Sequence, residues 1–299
     1  MESPADPTLP CSEIDRRSTD ETGESPIPHD VLYDPELRRR NIILRVPLKP
    51  DVVFGTAFLD APNYVVKVFN PNTEELPLYI RLLGDLSPVN HTVPSEIIHS
   101  QHALLIMPML TEIYCHIRSA PKRLRYGLFP AFHELVEGVE YLHKSHIAHL
   151  DIYPENIMIA NSNDASSHES LIPDRIYIID FDTARQFTLG PGLQPAITLS
   201  EAYYEPPDGL TIFDPYSWDV YCLGLLFQYF LDYAYTSRGR RAPWIARWYA
   251  KWLVGQERGC IGSCRCRPTA RTARRVLSLI EWALPVIKVV GKLVGFCSS

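Results

Sequence analysis

The chain has 299 residues, 46% of them hydrophobic and 21% charged, which is enough apolar material for one or two buried cores and excludes collagen-like, coiled-coil and wholly disordered organisations. The net charge of -6 is unevenly placed: residues 1–40 hold ten acidic and five basic groups, and the rest of the chain is close to neutral. No global attraction to nucleic acid or anionic lipid is therefore expected. Seven scattered cysteines do not resemble a secreted disulfide framework, so the expectation is an intracellular, cytoplasmic or nuclear protein with reduced thiols. The N-terminus lacks a basic start followed by an apolar run, and no stretch reaches about 18 apolar residues, so neither a secretory signal nor a transmembrane helix is expected.

Residues 1–40 contain six prolines and few large apolar side chains, and read as an acidic, proline-rich, disordered tail. From Asn41 onward, the runs IILRV, DVVFG and YVVKVF are β-branched or aromatic with polar or proline breaks, the pattern of strands. A helix is expected over 74–83, with Pro77 confined to its first turn. Leu128, Phe132, Leu135, Val139 and Leu142 then recur at spacings of four, three, four and three, one face of an amphipathic helix. NIMIA and RIYIID read as short strands joined by an exposed loop, and Asp219 to Leu231 reads as a buried helix.

The stretch most loaded with chemistry is HLDIYPEN (His149 to Asn156) with DFD (Asp180 to Asp182). It resembles the catalytic loop, HRDLKPEN, and the metal-binding segment, DFG, of eukaryotic protein kinases. Other segments follow that family's order from about residue 42 to 280. Lys67 in YVVKVF resembles the strand lysine, Glu75 its helical partner, and LLIMPML (Leu104 to Leu110) the strand entering the adenine-binding hinge. YEPPD (Tyr204 to Asp208) resembles the end of the activation segment, Asp219 the anchoring aspartate of the next helix, and RPTA (Arg267 to Ala270) the late arginine motif.

The resemblance implies an α+β, bilobal protein kinase-like fold. A β-rich N-lobe would cover about 41–107, a hinge 108–110 and a mainly helical C-lobe 111–299. It also implies ATP and Mg²⁺ as cofactors and a protein substrate or regulatory partner. Phosphoryl transfer depends on positioning and charge neutralisation. In the implied roles Asp151 orients the acceptor hydroxyl and takes its proton. Asn156 and Asp180 offer hard oxygen ligands to Mg²⁺. Lys67, held by Glu75, contacts the α- and β-phosphates. Gly55 would belong to the phosphate-covering loop, and Met107, Pro108, Met109 and Leu110 would line the adenine site. His149 is expected to be architectural.

The departures from the family pattern are chemical. The phosphate-covering segment VVFGTAFLD has Gly55 alone, so few backbone N–H groups can approach phosphate. Leu150 replaces an arginine that reads activation-loop phosphate, and Tyr153 replaces a lysine near the γ-phosphate. Asp182 stands in place of the final glycine of DFG, and Glu201 in place of the substrate-loop threonine. The leading expectation is transfer of the ATP γ-phosphate to Ser/Thr hydroxyls. The alternative is a nucleotide-binding pseudokinase acting as scaffold or regulator. IDFD also resembles aminoglycoside and choline kinases, but YEPPD, Asp219 and RPTA speak against a small-molecule kinase.

Three further signals lie near the C-terminus. Cys260, Cys264 and Cys266 have metal-ligand spacing, but no fourth cysteine or histidine nearby completes a tetrahedron, so no zinc is assigned. Trp244, Trp248 and Trp252, four apart, are expected to pack one helix face on the core. Around them, residues 238–275 carry eleven Lys/Arg against one acidic residue, read as a solvated basic face, with docking of an acidic partner or of the acidic tail as the alternative. After Pro285 an apolar helix is expected to pack on the helical lobe, with membrane-surface contact as the alternative.

Overall fold

The computed structural model describes residues 27–56, 62–119, 124–199, 203–207, 210–235, 239–256, 260 and 262–296, with the side chains of 116, 118–127 and 284–296 excepted. The expectations for residues 1–26, Ser200, Glu201, Asp208 and the face of the last helix lie outside these. The chain divides into two compact units, 1–69 with 95–109, and 70–94 with 110–299. Residues 70–94, expected in the N-lobe, therefore group with the larger unit.

The smaller unit is an antiparallel sheet of five strands, β1 (Leu44–Lys49), β2 (Val53–Thr56), β3 (Tyr64–Val68), β4 (Glu96–His99) and β5 (Ala103–Pro108), in the order β1-β2-β3-β5-β4. Alternation decides its faces: Phe54, Val66, Leu104 and Ile106 are buried together on one side. Two short helices cover them, α1 (His29–Leu32) and α2 (Pro35–Arg39), adding Ile27, Val31 and Leu37 to the same core.

The disordered tail expected through residue 40 therefore needs correction from Ile27 onward. Burial of each large aliphatic side chain contributes about 1.5–3 kcal/mol, and the local start signal is complete. Asp34 caps α2 by accepting the Glu36 and Leu37 N–H groups at 2.9 and 3.1 Å, with Pro35 in the first turn. Arg40 ties this segment to β4 through Glu96 at 2.5 Å. Leu37→Ala should lower stability by about 2–5 kcal/mol, read as a shifted denaturant midpoint. An unchanged midpoint would return the segment to the tail.

In the larger unit α3 (Glu75–Leu83) is followed by a three-stranded sheet of β6 (Thr111–Glu112), β8 (Ile157–Ile159) and β9 (Ile176–Ile178). Between them run α4 (Ile113–Ser119), α5 (Leu124–Lys144), the short strand β7 (Ile147–Ala148) and α6 (Ser162–Ser167), and β10 (Arg185–Gln186) then pairs with β7. Helix α6 interrupts the exposed loop expected there, because Asn161 and Asp164 form a capping box.

The stripe Leu128, Phe132, Leu135, Val139 and Leu142 is buried along α5. It meets α7 (Pro215–Tyr235), where Phe132 stacks on Phe227 with centroids 3.9 Å apart. Helix α9 (Ala270–Phe296) is held to α5 through Arg274, which pairs with Glu137 and with Glu140 at 3.2 Å. No helix among the described residues is long and apolar enough to cross a membrane.

One expectation fails here. Helix α8 (Trp244–Val254) does not bury its tryptophans: Trp244 is 68% and Trp248 47% exposed. The buried face is Ala246, Tyr249, Ala250 and Leu253. Near this face α7 approaches so closely that a Cβ on Gly224 would lie 2.7 Å from the Val254 nitrogen.

Candidate functional site

The site in the larger unit is built around a strained turn. Leu150 adopts φ +67° and Asp180 φ +60°, left-handed conformations that non-glycine residues hold only when their surroundings enforce them. At Leu150 the enforcement is visible. Asp219, fully buried on α7, accepts the His149 N–H at 2.9 Å and the Leu150 N–H at 2.8 Å. Its Oδ2 also lies 2.9 Å from His143 Nε2. The Leu150 carbonyl in turn accepts the Trp218 indole N–H at 3.0 Å. Leu150 itself is buried, so the position that carries arginine in the family pattern is an apolar anchor here.

That turn delivers Asp151. Its N–H donates to His149 Nδ1 at 3.3 Å, and His149 Nε2 is 3.1 Å from the Ile179 carbonyl. The His149 ring thereby links the Asp151 segment to the strand end before Asp180. The Asn156 amide nitrogen donates to the Asp151 carbonyl at 2.9 Å and to its carboxylate at 3.1 Å. This turns the Asn156 amide oxygen away from Asp151. Burial pushes the Asp151 carboxyl above its usual range, and the Asp180 charge acts in the same direction. A pair of mutually repelling carboxylates with an adjacent amide oxygen is a set of hard donors that suits Mg²⁺ better than a thiophilic metal.

Phe181, after Asp180, is fully buried, 5.1 Å from Tyr79 of α3 and 5.0 Å from His149, centroid to centroid. Its N–H donates to Glu75 at 3.2 Å. The carboxylate expected to serve Lys67 thus has a partner in its own unit, and Pro77 does not displace it, because Glu75 starts the helix ahead of the proline. Glu74 accepts the Gln186 N–H at 3.0 Å, a second link from α3 to the segment after Asp180 that the sequence reading missed.

Tyr153, in place of a lysine, stacks on Tyr203 with centroids 4.6 Å apart and planes 15° apart. The Tyr203 N–H lies 3.5 Å from the Asp151 carboxylate. Asp182 is half-buried beside Phe181.

In the smaller unit Lys67 lies on β3, buried, in register with Val53 and Leu105. Met107 and Pro108 end β5, and Met109, whose N–H donates to the Asn63 carbonyl at 2.9 Å, follows. Leu110 falls at the start of the larger unit's second segment. Gly55 lies inside β2, within the DVVFG run read as a strand, and the β1–β2 turn is made by Pro50, Asp51 and Val52, with Asp51 at φ +61°.

A β-rich unit with this strand order and a helical unit carrying an anchored HLDIYPEN loop and a buried DFD phenylalanine define a protein kinase-like fold. Comparison agrees: residues 100–240 match the protein kinase domain family, and the chain is similar to protein kinases over that stretch. It is 42% identical over 57 residues to serine/threonine-protein kinase CAK1 of Saccharomyces cerevisiae, covering 19% of this chain and 14% of that protein. It is 25% identical over 183 residues to cyclin-dependent kinase 15 of Homo sapiens, covering 58% of this chain and 39% of that protein. A 54-residue match to myosin light chain kinase 3 of Danio rerio is 43% identical and covers 18% and 6%. The chain thus spans well under half the length of these relatives.

Proposed function

We propose that this chain is a divergent protein kinase that transfers the γ-phosphoryl group of ATP to serine or threonine hydroxyls of a protein substrate. The observation that carries the reading is the Asp219-anchored turn, which holds Asp151 and Asn156 together and aims them beside Asp180. Asp151 accepts the hydroxyl proton of the acceptor and orients its oxygen for attack; its raised pKa brings it closer to neutral pH and makes it a better base than an exposed carboxylate. Asn156 and Asp180 hold Mg²⁺, which neutralises charge on the phosphates when bound. Lys67 binds the phosphates, and Met107 to Leu110 form the adenine strand. The domain limits follow: an N-lobe that begins by Ile27 instead of Asn41, and a C-lobe from Leu110 onward.

Asp180→Ala should weaken Mg²⁺-dependent ATP binding at least tenfold in calorimetry, leaving metal-free nucleotide binding little changed. Equal affinity in the variant would move the metal to Asp182 or remove the assignment.

A second reading, a nucleotide-binding pseudokinase, is favoured by a specific contact. The Tyr153–Tyr203 stack takes the place of a lysine, and the Tyr203 N–H sits against Asp151, where an acceptor hydroxyl would have to come. Incubating the purified chain with Mg-ATP and a protein panel separates the two. Phosphoserine or phosphothreonine supports the kinase, and tight nucleotide binding without product supports the pseudokinase.

A further inference from the structure

We propose that Cys260, Cys264 and Cys266 form a zinc site with three thiolate ligands and one exchangeable ligand. This rests on no part of the kinase mechanism. The one sulfur atom from each residue lies within 4.8 Å of the other two, and Cys260 Sγ and Cys266 Sγ are 3.6 Å apart. Tetrahedral zinc with bonds of about 2.3 Å requires sulfur atoms about 3.8 Å from one another, so an ion fits between the three with small side-chain adjustments.

The sequence argument against zinc was the missing fourth ligand. The structure changes its weight, because three sulfur atoms from a seven-residue segment already converge and the fourth position has somewhere to face. Cys260 and Cys266 line a cavity of about 720 Å³ together with Trp248, Lys251, Trp252 and Arg265. No His, Asp or Glu among the described residues joins the cluster, so the fourth ligand is water or a donor from a molecule entering that cavity.

The local frame supports ligation. The Cys266 N–H donates to Cys264 Sγ at 3.3 Å, the kind of backbone contact that steadies a thiolate. The Cys264 N–H donates at 2.9 Å to Asp214, which also caps the start of α7 by accepting the Tyr216 and Ser217 N–H groups. Arg267 fixes the other side by donating to the Val254 carbonyl at 2.6 Å and to Ser217 at 3.2 Å. Gly255, at φ +65°, lets this segment approach the end of α8; a Cβ there would lie 2.7 Å from the Cys266 carbonyl. Charge is consistent as well. A zinc ion with three thiolates carries a net charge of -1, and Lys251 and Arg265 share its cavity wall. Metal binding releases the thiol protons to solvent, with no redox change.

The full-length chain, purified under reducing conditions and stripped of metal, would be titrated with Co²⁺ as the spectroscopic substitute for zinc. The proposal predicts one equivalent bound, near-ultraviolet thiolate charge-transfer absorption of three sulfur ligands, strong visible bands of tetrahedral cobalt, and displacement by one equivalent of Zn²⁺. Cys260→Ser and Cys264→Ser should each weaken binding at least a hundredfold, and Cys222→Ser should leave it unchanged. If a serine variant does not fold, the wild-type titration still decides. Absence of charge-transfer bands in folded wild type, bands that persist in Cys264→Ser, or a two-hydrogen mass loss under the reducing conditions from a Cys260–Cys266 disulfide would each overturn the site.

Discussion

Asp151→Asn should lower the rate of γ-phosphoryl transfer at least a hundredfold while leaving Mg-ATP affinity within about twofold, because a general base contributes on the order of 10²–10⁴ to rate and does not itself hold the nucleotide. The same substitution should not cost stability. Burial and the Asp180 charge raise the Asp151 carboxyl above its ordinary range in the folded chain. Between the unfolded and folded pKa values the native state therefore binds the extra proton, and stability falls as pH rises through that window. At neutral pH the ionised carboxylate opposes folding. Asparagine carries no charge, so the variant should melt at or above the wild-type temperature. Wild-type turnover should fall on the acid side at a pH above the usual carboxylate range as Asp151 becomes protonated. A variant that loses activity by melting early would contradict this account of the residue.

Asp219→Ala should have the largest effect on stability of any substitution near the site. The carboxylate is fully buried and holds two backbone N–H groups of a turn whose Leu150 is in a left-handed conformation, as well as the His143 ring. Truncation leaves both N–H groups buried without an acceptor and removes the force that keeps Leu150 at positive φ. Loss of one member of a buried, hydrogen-bonded charged group costs about 3–5 kcal/mol, a large share of a domain's stability. The denaturant midpoint should drop accordingly, and residual folded protein should show turnover reduced further than its folded fraction explains. A midpoint within about 1 kcal/mol of wild type would show that the turn is held by other contacts.

What the sequence made legible was local and contiguous. HLDIYPEN and DFD carry the site because their spacing is fixed along the chain, and the stripe on α5 and the apolar run of α7 have one way to be buried. Each miss arose where composition or periodicity leaves a choice open. Residues 27–40 were judged by prolines and acidic charge, although Asp34-Pro35-Glu36 is a complete helix-start signal and Ile27, Val31 and Leu37 supply a core face. In α8 a spacing of four says that the tryptophans share a face but not which face is inward. The face that packs inward is that of Ala246, Tyr249, Ala250 and Leu253. Contacts such as Glu75 with the Phe181 N–H are separated by 106 positions, and no local pattern encodes them.

The central claim is that the Asp219-anchored turn presents a working base and metal ligands. The most direct test is single-turnover transfer of the ATP γ-phosphate to serine or threonine in a protein acceptor, measured for wild type beside Asp151→Asn with Mg²⁺ present and both proteins verified as folded and nucleotide-bound. The account predicts phosphoserine or phosphothreonine from wild type and at least a hundredfold less from the variant. Equal product from both, or none from wild type that binds Mg-ATP, would contradict it.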